Sequence, residues 1–209
     1  MYLSLAIIFC FFKLQHMKNK SGKLFLLSAP SGCGKTSVTV RVLQQLQSAR
    51  YNISRVVTYT TRGPRSTDKV GIDYHFLSAL EFKERIKESF FLEWSNTYHN
   101  YYGTPGDMIS DIEQGVSYIA IVDRLGVQSI IQKYEKAVSI WLEPPSLDEL
   151  KKRLCARQSE TEEQVRGRLR LAEQELVASV GHPYTYHVVN DVFDETVFCL
   201  CSIIKKELE

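Results

Sequence analysis

Short apolar runs alternate along the chain with segments in which apolar residues recur every three or four positions. The runs are four to six residues long and end in polar or turn residues, which is typical of buried strands. They lie at Lys23–Ser28, Ser117–Val122, Ala137–Leu142 and Tyr186–Val189. The helical pattern marks Thr36–Leu46, Leu80–Glu88, Asp107–Gln114, Ser146–Cys155, Glu162–Ala178 and Asp194–Glu207. This alternation predicts an α/β fold with a parallel sheet flanked by helices.

Two stretches interrupt the alternation. Residues 58–104 are rich in Thr, Tyr, Gly and Arg, and residues 153–170 are rich in arginine with a polar break at 158–161. Neither stretch has the long apolar runs of a core. We therefore interpret both as appendages on the α/β body.

Length and composition narrow the class of protein. The chain has 209 residues, 44% of them hydrophobic, which suits one globular domain and excludes a disordered or collagen-like chain. Lys and Arg number 26 against 24 Asp and Glu, so the surface is not uniformly basic and no long nucleic acid is expected as a partner. Any anion site must be local. The five cysteines are scattered without metal-ligand spacing, so we expect neither disulfides nor zinc, and a reducing cytoplasm.

The N-terminal segment differs from the rest of the chain. Residues 2–12 are nearly all apolar, but a membrane-spanning helix needs about 20 such residues. The lysines follow this run, whereas a secretory signal carries its charge first. We expect no stable membrane association and interpret residues 1–16 as a mis-assigned start before Met17 or a dispensable extension. The alternatives are ordered packing of Ile7, Ile8 and Phe11 against the body, and a cleaved signal.

A glycine-rich loop follows the first apolar run and precedes a helix. Its sequence is Ser28-Ala-Pro-Ser-Gly-Cys-Gly-Lys-Thr36, in the strand–loop–helix context of a phosphate-binding loop. Gly32 and Gly34 let backbone N–H groups turn toward an anion, and the helix N-terminus adds partial positive charge. Lys35 would reach the β and γ phosphates, and the Thr36 hydroxyl would be a ligand of Mg²⁺. The predicted ATP-binding residues of this loop are Ala29, Pro30, Ser31, Gly32, Cys33, Gly34, Lys35, Thr36 and Ser37.

Three alternatives attach to this loop. Ala29 stands where the usual pattern has its first glycine, and it can serve there if its φ is negative. Cys33 is either a small side chain that fits or a reactive thiol activated by the helix N-terminus. The loop itself could be a turn that caps an ordinary helix and leaves Lys35 solvated.

Polar residues elsewhere are suited to a second nucleotide. Arg62 and Arg65 flank a Gly-Pro turn and can converge on one phosphate, although such a motif alone would be a surface turn. Glu93 lies among aromatic residues and suits a base that presents adjacent N–H donors, as guanine does, but alone would be a solvated charge. Asp123 ends the run Tyr118–Val122, where an acid near a metal is expected.

In combination, these motifs resemble those of the guanylate kinase family, from about Gly22 to the C-terminus. The resemblance implies Mg²⁺-dependent phosphoryl transfer from ATP to GMP, and to dGMP. It assigns the GMP phosphate to the two arginines and two tyrosines, guanine N1 and N2 to Glu93, and the O6 side to two threonines. The implied GMP-binding residues are Thr58, Arg62, Arg65, Tyr74, Glu93, Tyr102, Thr104 and Asp123. The implied catalytic residues are Lys35, Arg62, Arg157 and Arg168, and Arg153, Arg157 and Asn190 are added to the ATP-binding set.

The resemblance also implies a domain organisation. It predicts an N-terminal extension (1–21), a core segment with the phosphate loop (22–56), a mixed α+β GMP-binding insertion (57–104), core (105–145), a helical lid (146–168) and core (169–209). Asp123 would act on the metal through water. Asn190 would otherwise be part of a strand-ending turn, and the lid arginines part of a solvated helix.

The chain departs from the family at three positions, of which Thr58 replaces a usual serine and keeps the hydroxyl. Ile121 stands where many relatives have an acid, and Leu125 replaces a common glutamine. Two other functions stay open: a non-catalytic guanylate-kinase-like binding module, and a phosphate-loop kinase for another small acceptor. The sequence does not give the oligomeric state.

Overall fold

The structure is a computed structural model that describes residues 21–65, 68–97, 99–156 and 162–209. The predictions for residues 1–16 and for Arg157 therefore lie outside the described residues. The strands are β1 (Leu24–Ser28), β2 (Ile53–Arg55), β3 (Thr58–Thr60), β4 (Tyr74–Phe76), β5 (Phe91–Thr97), β6 (Asn100–Pro105), β7 (Ser117–Ile121), β8 (Val138–Glu143) and β9 (Tyr186–Val189). The helices are α1 (Lys35–Ser48), α2 (Ala79–Lys87), α3 (Met108–Glu113), α4 (Arg124–Lys133), α5 (Leu147–Cys155), α6 (Glu162–Ser179) and α7 (Phe193–Leu208).

The core is a parallel sheet with the strand order β2-β7-β1-β8-β9. Every neighbouring pair in it runs parallel, which confirms the predicted α/β fold. The carboxyl ends of parallel strands meet at one edge of a sheet, where α/β proteins bind their ligands. The loops after β1 and β7 both begin at this edge. The phosphate loop and Asp123 are thereby brought to the same side of the sheet.

Both faces of the central strand are buried, as expected for a parallel sheet covered by helices. Leu24 and Leu26 pack on one face with Ile130 and Trp141, all at most 1% exposed. Phe25 and Leu27 pack on the other face in a second cluster, whose members include Val38, Val42, Leu150, Val197 and Leu200. Successive side chains of the five-residue strand β1 thus pack into the two clusters alternately. This packing holds in place the strand that precedes the phosphate loop.

The insertion forms a second, mixed sheet with the order β4-β3-β6-β5. Strands β3 and β4 are parallel, and the β3–β6 and β5–β6 pairs are antiparallel. Helix α2 places Phe82 against this sheet, where its ring stacks on Phe91 at 4.5 Å and on Tyr101 at 5.3 Å between centroids. Gly103 is required in β6, because a Cβ there would lie 2.7 Å from the Phe91 ring.

The predicted strands and helices are all present, with ends that differ by at most two residues. Strand β2, helix α4 and the four strands of the insertion are additional elements. Among the described residues, the helices are too short or too polar to cross a membrane.

Candidate active site

The phosphate loop has the backbone that its glycines predict. Gly32 and Gly34 have φ values of 93° and 83°, in the left-handed region that favours glycine. A Cβ at Gly32 would also lie 2.8 Å from the Leu154 side chain. Ala29 does not adopt a left-handed conformation and is 5% exposed, so the condition under which alanine can replace the first glycine is met.

Lys35 begins α1, and its side chain folds back on the loop. Its Nζ donates to the carbonyl oxygens of Ala29 at 2.6 Å and Pro30 at 3.2 Å. Thr36 and Ser37 follow in the first helical turn, and both are exposed. The lysine is thus held at the loop, with solvent-facing hydroxyls beside it.

Cys33 is one of the buried side chains of the loop. It is fully buried, and burial raises the pKa of its thiol to about 11, although the nearby Lys35 charge opposes the rise. A thiolate is the reactive form of cysteine, so the raised pKa disfavours the reactive-thiol alternative and favours Cys33 as a packing residue.

Asn190 and Arg153 brace the phosphate loop from the C-terminal half of the chain. The Asn190 side-chain amide donates to the Cys33 carbonyl oxygen at 2.7 Å, and Asn190 is 5% exposed. Arg153 Nη1 donates to the Asn190 carbonyl oxygen at 2.9 Å, and its Nε is 3.4 Å from a Glu149 carboxylate oxygen. The predicted contacts of these two residues with ATP stay predictions.

Glu93 and Thr104 form a buried carboxyl–hydroxyl pair between β5 and β6. Glu93 is 5% exposed, and the Thr104 hydroxyl, which is fully buried, donates to its Oε1 at 2.9 Å. Burial raises the pKa of Glu93 to about 7, the Thr104 hydrogen bond lowers it, and the Asp123 charge adds to the rise. The pair therefore presents an acceptor that gains a proton easily near neutral pH.

Asp123 links strand β5 of the insertion to the core. Its Oδ1 accepts from the Gly126 backbone N–H at 2.7 Å, which caps α4, and its Oδ2 accepts from the Ser95 hydroxyl at 3.2 Å. Both carboxylate oxygens are thus fixed, one by a core helix and one by the insertion.

Arg62 is held by Asp68. Its Nη2 donates to Asp68 Oδ2 at 2.8 Å, its Nη1 to the Gly63 carbonyl oxygen at 2.9 Å, and its guanidinium lies 5.2 Å from the centroid of the Tyr74 ring. The Arg65 backbone N–H donates to the same Asp68 oxygen at 2.7 Å, and the Arg65 side chain is exposed. Burial opposes the change, but these donors lower the pKa of Asp68.

A cavity of about 510 Å³ lies at the carboxyl edge of the core sheet and connects the loop with the insertion. The predicted site residues that line it are Ala29, Ser31, Lys35, Thr58, Tyr74, Glu93, Tyr102, Thr104 and Asp123. Arg62 and Arg65 are not among its lining residues, and Arg168 is a half-buried residue of α6. Residues that the sequence did not single out also line the cavity, among them Ser95, Arg124 and Glu175. Arg124 could have been predicted as a site residue from its position directly after Asp123. Glu175 belongs to no recognisable motif, so the sequence did not indicate it.

The residues present suit Mg²⁺. Among the described residues there is no cluster of three or more His, Cys, Asp or Glu side chains that could hold a metal ion. Mg²⁺ does not need such a cluster, because it keeps several waters and is bound by one or two protein oxygens plus substrate phosphates. The exposed Thr36 hydroxyl at the phosphate loop is an oxygen ligand of this kind.

The fold and the cavity define the class of protein: a phosphate-loop nucleotide kinase with a separate mixed-sheet insertion beside the cavity. Residues 21–207 match the family model described as guanylate kinase. The chain is 39% identical over 191 residues to the guanylate kinase of Protochlamydia amoebophila, covering 91% of this chain and 93% of the relative. It is 36% identical to that of Myxococcus xanthus, over 89% and 87% of the two chains.

The chain therefore belongs to the guanylate kinase family, whose members are ATP:GMP phosphotransferases. A solved structure agrees: the crystal structure of guanylate kinase from Anaplasma phagocytophilum is similar with a TM-score of 0.74 and 28% identity, covering 92% of this chain and 89% of that one.

Proposed function

We propose that the protein transfers the γ-phosphoryl group of ATP to GMP, and to dGMP, giving ADP and the nucleoside diphosphate. The observation that carries this proposal is one cavity with Lys35 of the phosphate loop and the buried Glu93–Thr104 pair both in its lining. On this proposal, a donor phosphate site and a base-reading site would share this cavity. The family supports the same reaction. The alternative function, a non-catalytic binding module, is disfavoured because the phosphate loop is intact.

The guanine base would be read by the Glu93 carboxylate. As an ionised carboxylate it accepts two hydrogen bonds, which matches the adjacent N1–H and N2–H₂ donors of guanine. Adenine has an acceptor at N1, which would face the same negative charge. Thr58 and Thr104 line the cavity with hydroxyls that can serve the O6 side.

Phosphoryl transfer needs no general base here, because the acceptor phosphate oxygen is already anionic at neutral pH. Catalysis would come from alignment of two polyanions and neutralisation of their charge. Lys35 would leave the Ala29 and Pro30 carbonyl oxygens for the donor phosphates. Arg62 would hold the acceptor phosphate, and Arg157 and Arg168 would cover the transferred group as the lid closes and excludes water.

Mg²⁺ would be held by Thr36 and, through water, by Asp123, and it would neutralise phosphate charge. We further propose a reducing cytoplasm as the compartment, which the scattered cysteines support; Cys33, Cys155, Cys199 and Cys201 are free thiols.

Substrate assays test the proposal directly. ATP is supplied with GMP, dGMP, AMP, CMP or UMP, and formation of each diphosphate is measured. We expect turnover of GMP and dGMP and little or none of the others. Turnover of another acceptor above GMP would contradict the guanine assignment, and binding of GMP without turnover would favour the non-catalytic module.

Replacing Asp68 by Asn is expected to raise the KM for GMP about tenfold with a smaller change in kcat. Asp68 holds the Arg62 guanidinium and the Arg65 backbone through one oxygen, and loss of a charge-assisted hydrogen bond is worth about 1.5–3 kcal/mol. Steady-state kinetics with GMP and with ATP as the varied substrate measure the effect. Asp191→Asn, at an exposed position, is the matched control. A lowered KM for GMP would show instead that Asp68 competes with the phosphate.

A further inference from the structure

Arg124 is a cationic side chain in the cavity that makes no hydrogen bond or ion pair in the described part of the chain, although its charge acts on Glu175 and His182. It is the first residue of α4, half-buried, and lines the cavity with Lys35. Within the described ranges, no hydrogen bond or ion pair joins its guanidinium to another residue. A guanidinium has five N–H donors, and burial of a charge without a partner is unfavourable. Its position suits a ligand that brings its own negative charge.

The charges around the cavity strengthen this reasoning. The charged residues of its lining are two cations, Lys35 and Arg124, and three carboxylates, Glu93, Asp123 and Glu175. Two nucleotides bring several further negative charges into the same space. Of the residues in this lining, Lys35 and Arg124 are the cations that can offset that charge from inside the cavity.

The backbone of Arg124 is fixed at the start of α4. Asp123 caps α4 through the Gly126 N–H, so the residue between them has little freedom. Glu175 of α6 also lines the cavity, and among the described residues its buried Oε2 has no hydrogen-bond partner. Burial raises the pKa of Glu175, and the Arg124 charge is among the groups that oppose the rise. Glu175 is the alternative partner for Arg124, and the experiment has to separate the two possibilities.

We propose that Arg124 binds a phosphate group of a nucleotide in this cavity, as a substrate contact in addition to the phosphate loop and the Arg62 loop. The proposal rests on the proposed function for the identity of the ligand. A planar guanidinium can bind phosphate oxygens through two parallel N–H bonds, which an ammonium cannot do. The phosphate could belong to the acceptor monophosphate or to the donor triphosphate, which share this chemistry.

The test compares Arg124→Met with Arg41→Met, which removes the same charge from an exposed position of α1. Dissociation constants are measured for GMP, guanosine, ATP and adenosine with each purified variant. We expect Arg124→Met to weaken binding of GMP or ATP by at least about tenfold and to leave binding of the corresponding nucleoside unchanged. A loss with GMP assigns the contact to the acceptor, and a loss with ATP assigns it to the donor. Arg124→Lys, which keeps the charge and loses the fork, should show a smaller loss.

Other results would overturn the proposal. One is equal weakening of nucleotide and nucleoside; another is nucleotide binding by Arg124→Met and Arg124→Lys that equals that of Arg41→Met. A third is a loss of nucleotide affinity in Glu175→Gln equal to that in Arg124→Met, with no further loss when both substitutions are combined. Arg124 would then act through Glu175. Failure of the parent protein to phosphorylate GMP would contradict the proposed function instead, while the binding comparison would still decide the role of Arg124.

Discussion

Replacing Lys35 with alanine is expected to lower kcat with ATP and GMP about a hundredfold or more. The ammonium is the cation of the phosphate loop that lines the cavity, so its removal leaves charge on the transferred group without its nearest counter-charge. A single charge-assisted contact is worth about 1.5–3 kcal/mol, which corresponds to about ten- to a hundredfold. A larger loss would follow because the contact strengthens as charge develops in the transition state.

The same substitution should leave the fold intact. The Lys35 ammonium donates to the Ala29 and Pro30 carbonyl oxygens, and loss of such contacts from a partly exposed site is worth about 1 kcal/mol. The turn itself depends on Gly32 and Gly34, which the substitution does not touch. Urea denaturation and steady-state assays measure the two effects, with Lys136→Ala at an exposed turn as the control. Turnover of Lys35→Ala at the parental rate would show that the phosphate loop has been assigned wrongly.

The sequence predicts those elements whose own apolar pattern is enough to show that they are buried. The predicted strands that form the centre of the core sheet are apolar over most of their length, so their pattern needs no partner to interpret. Strand β2 was missed because it has three residues, of which only Ile53 is fully buried. Helix α4 was missed because Gly126 near its start is typical of a turn; Asp123, which accepts from the Gly126 N–H, caps the start of the helix.

The candidate site likewise has parts that the sequence predicts and parts that it does not. Local sequence determines the phosphate loop, since its glycines and Lys35 act within nine residues of chain. Contacts between distant residues could not be predicted: the Asn190 amide binds the loop across 157 positions, and Ser95 reaches Asp123 across 28. The Arg62–Asp68 pair was missed although it is close in sequence, because a turn with several charges allows more than one pairing. Glu175 lies within an ordinary helical pattern, and only the packing of α6 brings it to the cavity.

Replacing Glu93 with glutamine is expected to lower kcat/KM for GMP about a hundredfold while leaving the low activity with AMP unchanged or slightly higher. The amide keeps one acceptor oxygen but turns an N–H donor toward the donors of guanine, so an attractive contact becomes a repulsive one. The matched control is Glu84→Gln on the exposed face of α2. Assays with GMP and AMP over pH 5.5–8.5, a range of roughly 1.5 pH units on each side of neutrality, measure the effect. An unchanged preference for GMP over AMP would remove Glu93 from base recognition.

The pH dependence of the parent follows from the same carboxyl group. Burial raises the pKa of Glu93 from 4.5 to about 7, so a growing fraction is protonated below neutral pH and cannot accept both guanine donors. The KM for GMP of the parent should therefore rise as the pH falls through about 7, a rise that Glu93→Gln should lack. Binding of GMP at neutral pH should release protons, because guanine favours the ionised form.

The pH dependence of stability should be opposite to that of GMP binding: as pH rises, GMP binds more tightly and the fold becomes less stable. Between pH 4.5 and about 7 the unfolded chain loses the Glu93 proton and the folded chain keeps it, so the free energy of unfolding of the parent falls as pH rises. The shift corresponds to a few kcal/mol at most, at about 1.4 kcal/mol for each pH unit. Relative to the parent, Glu93→Gln should gain stability from pH 5 to pH 8 by up to about 3 kcal/mol, measured by urea denaturation. A carboxylate that is costly to bury and serves binding should lower the stability of the fold, so its replacement should raise that stability. If Glu93→Gln instead loses both GMP selectivity and stability at pH 8, Glu93 is a structural residue.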